Sequence, residues 1–92
     1  MATDFFRPHN APARVIYDAF MKEAALRNTR TVEDWIEKEP KAVWGAARDY
    51  AQQHGLTVPT LEQVNRAEQS ARGHSDYGAK WAYRVSELLV PL

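Results

Sequence analysis

Apolar residues recur along the chain at every third or fourth position, the period of a helix with one buried face. Val15, Ile16, Ala19, Phe20, Glu23 and Leu26 fall on such a stripe, and all but Glu23 are apolar. Asn10 is a suitable N-cap, and Pro12 suits a first turn, where its missing N–H costs little. The pattern predicts a first helix from Ala11 to about Arg27, after a lead-in segment 1–10 in which Phe5 and Phe6 are expected to pack on the helical body. Thr31 caps a short second helix over Val32–Lys38, with Val32, Trp35 and Ile36 on its apolar face and acidic residues elsewhere. Pro40 disfavours helical geometry at Glu39, so a break is expected there. A third helix follows from Pro40 to His54, striped by Val43, Trp44, Ala47, Tyr50 and Ala51 and stopped by Gly55. Leu56–Pro59 is an extended connection.

Thr60 and Gln63 match the capping-box pattern at the start of the last third. Two readings compete beyond it. Gly73 ends one helix and Ser75 caps another, or a single helix runs from Leu61 to Leu89. Positions 61, 64, 68, 71, 75, 78, 82, 85 and 89 keep one helical phase across the glycine and, Glu68 apart, hold only apolar or small residues. The single helix, with room for a kink, is therefore favoured. An interior glycine costs about 1 kcal/mol against alanine, a loss offset where another helix must approach closely at Gly78, Ala79 and Ala82. Strand patterns are nearly absent. The expected fold is all-α: one domain over 11–92, a compact bundle of four to five helices with a long C-terminal helix.

Composition narrows the function more than it names one. Ninety-two residues leave room for one core. Lys plus Arg and Asp plus Glu each number 12, so the chain lacks the basic surplus typical of proteins held on phosphates. No apolar run reaches membrane-spanning length, and the first residues lack the pattern of a secretory signal. Together with the absence of cysteine, this fits a cytoplasmic protein and excludes disulfides, Cys-ligated zinc and thiol chemistry.

The most distinctive stretch is 73–87. On a helix, Asp76, Lys80, Tyr83 and Glu87 form one row, flanked by His74 and Arg84, with Tyr77, Trp81, Val85 and Leu88 on the apolar side. Such a row either satisfies itself on the surface or grips a protein partner; tyrosine, tryptophan and arginine are enriched at binding hot spots. The other chemical patterns are weaker. His9, His54 and His74 are far apart, and the two-residue spacing of His74 and Asp76 fits no helical metal pair. Ser75 between them makes no triad. Glu33, Glu37 and Glu39 read as a solvated acidic face. Trp35, Trp44 and Trp81 read as core anchors. The small-residue face Ser75, Gly78, Ala79 and Ala82 could seat another helix of this chain or a symmetry mate in a homodimer. Neither a cofactor nor a metal is expected, and no catalytic group stands out.

The alternative is a DNA-binding helix-turn-helix over 32–54, its second helix presenting Lys41, Arg48 and Gln52. Against it, Glu33, Asp34, Glu37 and Glu39 would lie near phosphates.

The segment His74-Ser75-Asp76-Tyr77, Lys80-Trp81-Ala82 and Val85-Ser86-Glu87-Leu88 resembles a pattern in small uncharacterised proteins of phages and prophages. It covers about 15 of the 92 residues. The resemblance implies an accessory protein that binds a host or phage component. The expected function is thus a small non-catalytic interaction protein that docks a protein partner through His74, Asp76, Lys80, Tyr83, Arg84 and Glu87.

Overall fold

The computed structural model describes residues 8–92, so Phe5 and Phe6 lie outside the described residues. Its four α-helices are α1 (Ala11–Ala24), α2 (Val32–His54), α3 (Leu61–Ala71) and α4 (Tyr77–Ser86), with a 3-10 turn at Arg27–Thr29. The protein is all-α, as the periodicity predicts, and no strand occurs among the described residues. Its radius of gyration, 12.5 Å, is that of a close-packed chain of this length, about 12 Å.

The helix starts lie where their caps put them. The Asn10 side chain accepts from Ala13 N at 2.8 Å, Thr31 caps α2 from Asp34 N at 3.2 Å, and Thr60 and Gln63 exchange both bonds of a capping box. Helix α1 ends three residues before the expected Arg27. Its buried side is Ala13, Ile16 and Phe20, while Val15 and Leu26 face outward. Gly55, at φ +66°, closes α2 in the left-handed conformation that favours glycine.

Two expected boundaries are wrong, in opposite directions. No break occurs at Glu39–Pro40: the second and third helices are one helix of 23 residues. An interior proline costs about 3 kcal/mol through its missing N–H and its clash with the carbonyl one turn back. Here the residue before the proline is held by a contact from elsewhere in the chain. Glu39 is 2% exposed and takes a bidentate pair from Arg27, at 2.6 and 2.7 Å. It is therefore not part of a solvated acidic face.

The expected long C-terminal helix is instead two helices. Gly73 adopts φ +88° and the chain doubles back through Arg72–Asp76. The reason lies in Trp81, whose indole Nε1 donates to Val64 O at 3.0 Å. In an unbroken helix those residues would stand about 25 Å apart along the axis. Helical phase is blind to this, because both arrangements keep the apolar positions on one side.

Trp81, Ile16, Val43, Val64 and Val85 are fully buried at the centre. Phe20 of α1 meets Tyr77 and Trp81 edge-on, with ring centroids 5.8 and 5.6 Å apart. Beneath it lies Gly78, where an added Cβ would come within 2.5 Å of the Phe20 ring. The small-residue face of the last helix therefore seats another element of the same chain. The end of the chain returns to the α2–α3 connection, with Thr57 N donating to Val90 O at 2.8 Å. Among the described residues, no helix is long and apolar enough to cross a membrane.

The two helical glycines differ in what they allow. Gly78→Ala overpacks the Phe20 site at a cost of about 1–3 kcal/mol, more than its gain in helix propensity, and thermal denaturation should show a drop in Tm of about 5 °C or more. Gly45, in mid-α2, has open space where a Cβ would go. Gly45→Ala should stabilise the protein by about 1 kcal/mol in the same measurement.

Candidate functional site

Two surfaces carry the polar chemistry. The first is the outer face of α4, opposite the buried Ala79, Trp81, Ala82 and Val85. Lys80 and Tyr83 lie on the helix, half-buried, and Arg84 is exposed beside them. Asp76 and Glu87 occupy the two cap positions, so the row spans the helix from end to end. His74 lies outside the helix, exposed in the α3–α4 turn. Asp76, not Ser75, is the N-cap residue, and its side chain makes no capping bond.

The Tyr83 hydroxyl accepts from His9 N at 3.1 Å, which ties α4 to the start of α1. No ion pair or side-chain hydrogen bond engages His74, Asp76, Lys80, Arg84 or Glu87 among the described residues. The row does not satisfy itself.

Helices α2 and α3 are the opposite case. Lys41 pairs with Glu37 at 2.8 Å, Lys38 and Arg30 with Asp34 at 3.7 Å, Arg66 with Glu62 at 2.6 Å and Arg72 with Glu68 at 2.8 Å. Arg48 pairs with Asp49 and lies over the Trp44 ring, 4.9 Å from its centroid. Gln52 is exposed. Lys41 and Arg48 are thus both engaged within the chain. The two-helix arrangement that the DNA reading requires is not formed, because α2 is continuous through Pro40.

The second surface is an open cleft of about 620 Å³ between the first half of α2 and α3, floored by the start of α4. Its chemistry starts from Arg27. That guanidinium holds Glu39 and lies over Trp35, 4.3 Å from the ring centroid. Next to it, the Tyr77 hydroxyl donates to Glu68 at 2.6 Å, and Arg72 holds the same carboxylate at 3.0 Å. Ile36, 54% exposed, and Leu61, 37% exposed, supply apolar walls. Every residue with a displaced pKa lines this cleft. The hydrogen bond to Glu39 raises Arg27, and that to Glu68 raises Arg72. Lys41 lowers Glu37. Burial pushes Glu68 up, but hydrogen bonds from Arg72 and Tyr77 outweigh it and hold the carboxyl below its usual range. Burial and the Glu68 carboxylate push the Tyr77 phenol well above its ordinary value.

Sequence reasoning missed this cleft. Its residues come from the α1–α2 turn, the first half of α2, α3 and the start of α4, and no local spacing joins them. Of the three expected core tryptophans, Trp44 packs against the edge of the core and Trp35 lies outside it. Trp35 and Trp44 are half-buried, each under an arginine, and Trp44 Nε1 donates to Pro59 O at 2.9 Å. Trp81 is the fully buried one. No protein-family model, no curated protein and no solved structure matches the chain.

Two outcomes test this wiring. Arg27→Ala leaves the buried Glu39 carboxylate unanswered and should cost about 3 kcal/mol in urea unfolding, the low end for such pairs because Arg27 is partly exposed. Replacing both residues by apolar ones (Arg27→Met with Glu39→Leu) should restore most of it. The second concerns pH. The raised Tyr77 pKa contributes stability that is complete below the phenol's ordinary value of 10 and is lost as pH rises above it. The lowered Glu68 pKa contributes stability that is lost as pH falls below the ordinary carboxylate range. Urea midpoints measured from pH 9 to 11 should fall in the native protein and fall less in Tyr77→Phe.

Proposed function

We propose that this is a small non-catalytic interaction protein that docks a protein partner on the outer face of α4. The observation that carries the proposal is the contrast in charge pairing. All charged residues of α3, and all of α2 except Glu33, have a partner within the chain, whereas Asp76, Lys80, Arg84 and Glu87 have none among the described residues. Two carboxylates, an ammonium and a guanidinium along one helix, with His74 at one end and the Tyr83 ring among them, make a surface that a partner of complementary charge can read. Charges of this kind chiefly set orientation and association rate. The same stretch carries the resemblance to phage and prophage proteins, and the role that resemblance implies, binding a host or phage component, is of this kind. A cytoplasmic setting fits the composition.

The test is a charge swap that spares Tyr83, because that hydroxyl holds His9. Lys80→Glu with Arg84→Glu should leave the helical circular dichroism and Tm unchanged and remove the specific partner from affinity purification out of the native host. Salt should weaken the native complex in the same way. Retention of every partner by the double variant would refute the assignment.

A further inference from the structure

The cleft beside Arg27 shares no lining residue with the α4 row, and its polar groups divide into two sets. All its ionisable groups are answered within the chain: Arg27 by Glu39, Glu37 by Lys41, and Glu68 by Arg72 and Tyr77. A charged ligand would find no free counter-charge there. The unanswered polar groups are the amides of Asn65 and Gln69, both exposed on the α3 wall, and the indole N–H of Trp35 on the α2 wall, none with a hydrogen bond among the described residues. Ile36 and Leu61 add apolar surface that the chain leaves uncovered.

A neutral partner with repeated hydrogen-bonding groups and an apolar side chain meets these terms, and the spacing narrows the choice. Asn65 and Gln69 are one helical turn apart, about 6 Å between their Cβ atoms. An extended chain advances about 6.5–7 Å per two residues, and every second peptide group faces the same side. Each amide carries both a donor and an acceptor and so answers the N–H and C=O of one residue, which point to the same edge of an extended chain. A helical partner lacks free backbone groups along its length. We propose that this cleft binds an extended peptide segment of a protein partner, with Asn65 and Gln69 holding the N–H and C=O of alternate residues and an inward apolar side chain lodged between Ile36 and Leu61. The site goes beyond the α4 reading and stands apart from it.

The experiment uses the full chain and a phage-displayed library of random heptapeptides. Selected sequences should carry an apolar residue with extended-compatible neighbours. The corresponding synthetic peptide should shift the Asn65 and Gln69 side-chain amide signals in nitrogen-15 NMR spectra. Asn65→Ala with Gln69→Ala should weaken its binding by about tenfold or more at unchanged Tm. N-methylation at two alternate peptide groups should abolish binding, and at the intervening one it should not. Lys80→Glu with Arg84→Glu should leave peptide binding intact, which separates this site from α4. The proposal is overturned if no peptide is enriched, if the bound peptide is helical, or if the shifts map to α4.

Discussion

Arg27 reaching Glu39 is the contact on which the shape of the first half of the molecule depends. The carboxylate is almost completely removed from water, and a buried charge is tolerable only while its partner is in place. The pair therefore acts as a requirement more than as a surplus of stability. It holds the residue before Pro40 in a conformation that proline disfavours. The same guanidinium covers Trp35 one turn earlier, so a single side chain steadies two turns of α2. Apolar burial does little of this work, because Val32 and Ile36 remain more than half exposed. The result is one continuous wall where two separate helices would otherwise stand, and the cleft lies against its first half.

What could be read from the chain beforehand was what is decided locally. Asn10, Thr31, the Thr60–Gln63 box and Gly55 act on backbone groups within four residues, and each is found where its chemistry puts it. At Pro40 and Gly73 the chain departs from the course its spacing predicts for a shared reason: both outcomes are set by partners elsewhere. Glu39 answers a residue 12 positions earlier, and Trp81 a carbonyl 17 positions earlier. Helical spacing cannot tell a stripe that continues from one that folds back, because the buried side is the same. The α4 row was legible because it is contiguous, except that the helix starts at Tyr77 and leaves His74 in the turn. For the cleft, the available signal was the stripe Leu61, Asn65, Gln69 and Arg72, but nothing in the spacing says that α2 stands opposite.

The two surfaces use polar groups in different ways. On α2 and α3 every charge but Glu33 is answered within the chain, leaving neutral amides and the Trp35 N–H as the free hydrogen-bonding groups of the cleft. On α4 the charges stay open. Neutral donors and acceptors suit a neutral hydrogen-bonding partner, whereas an open row of charges suits a facing surface of complementary charge.

The aromatic seam has a consequence for how the molecule assembles and comes apart. The α1–α2 hairpin is closed by Arg27–Glu39 and the α3–α4 hairpin by Trp81–Val64, both over short stretches of chain. The ring of Phe20 over Gly78 joins the two hairpins across more than half the sequence. Loops closed over short distances form first, and long ones follow. Phe20, with the hydrogen bond from His9 N to Tyr83, ties α4 back onto α1. Because α4 packs against α1 at least as extensively as against α3, parting the two hairpins would take apart the core that Phe20, Tyr77 and Trp81 share.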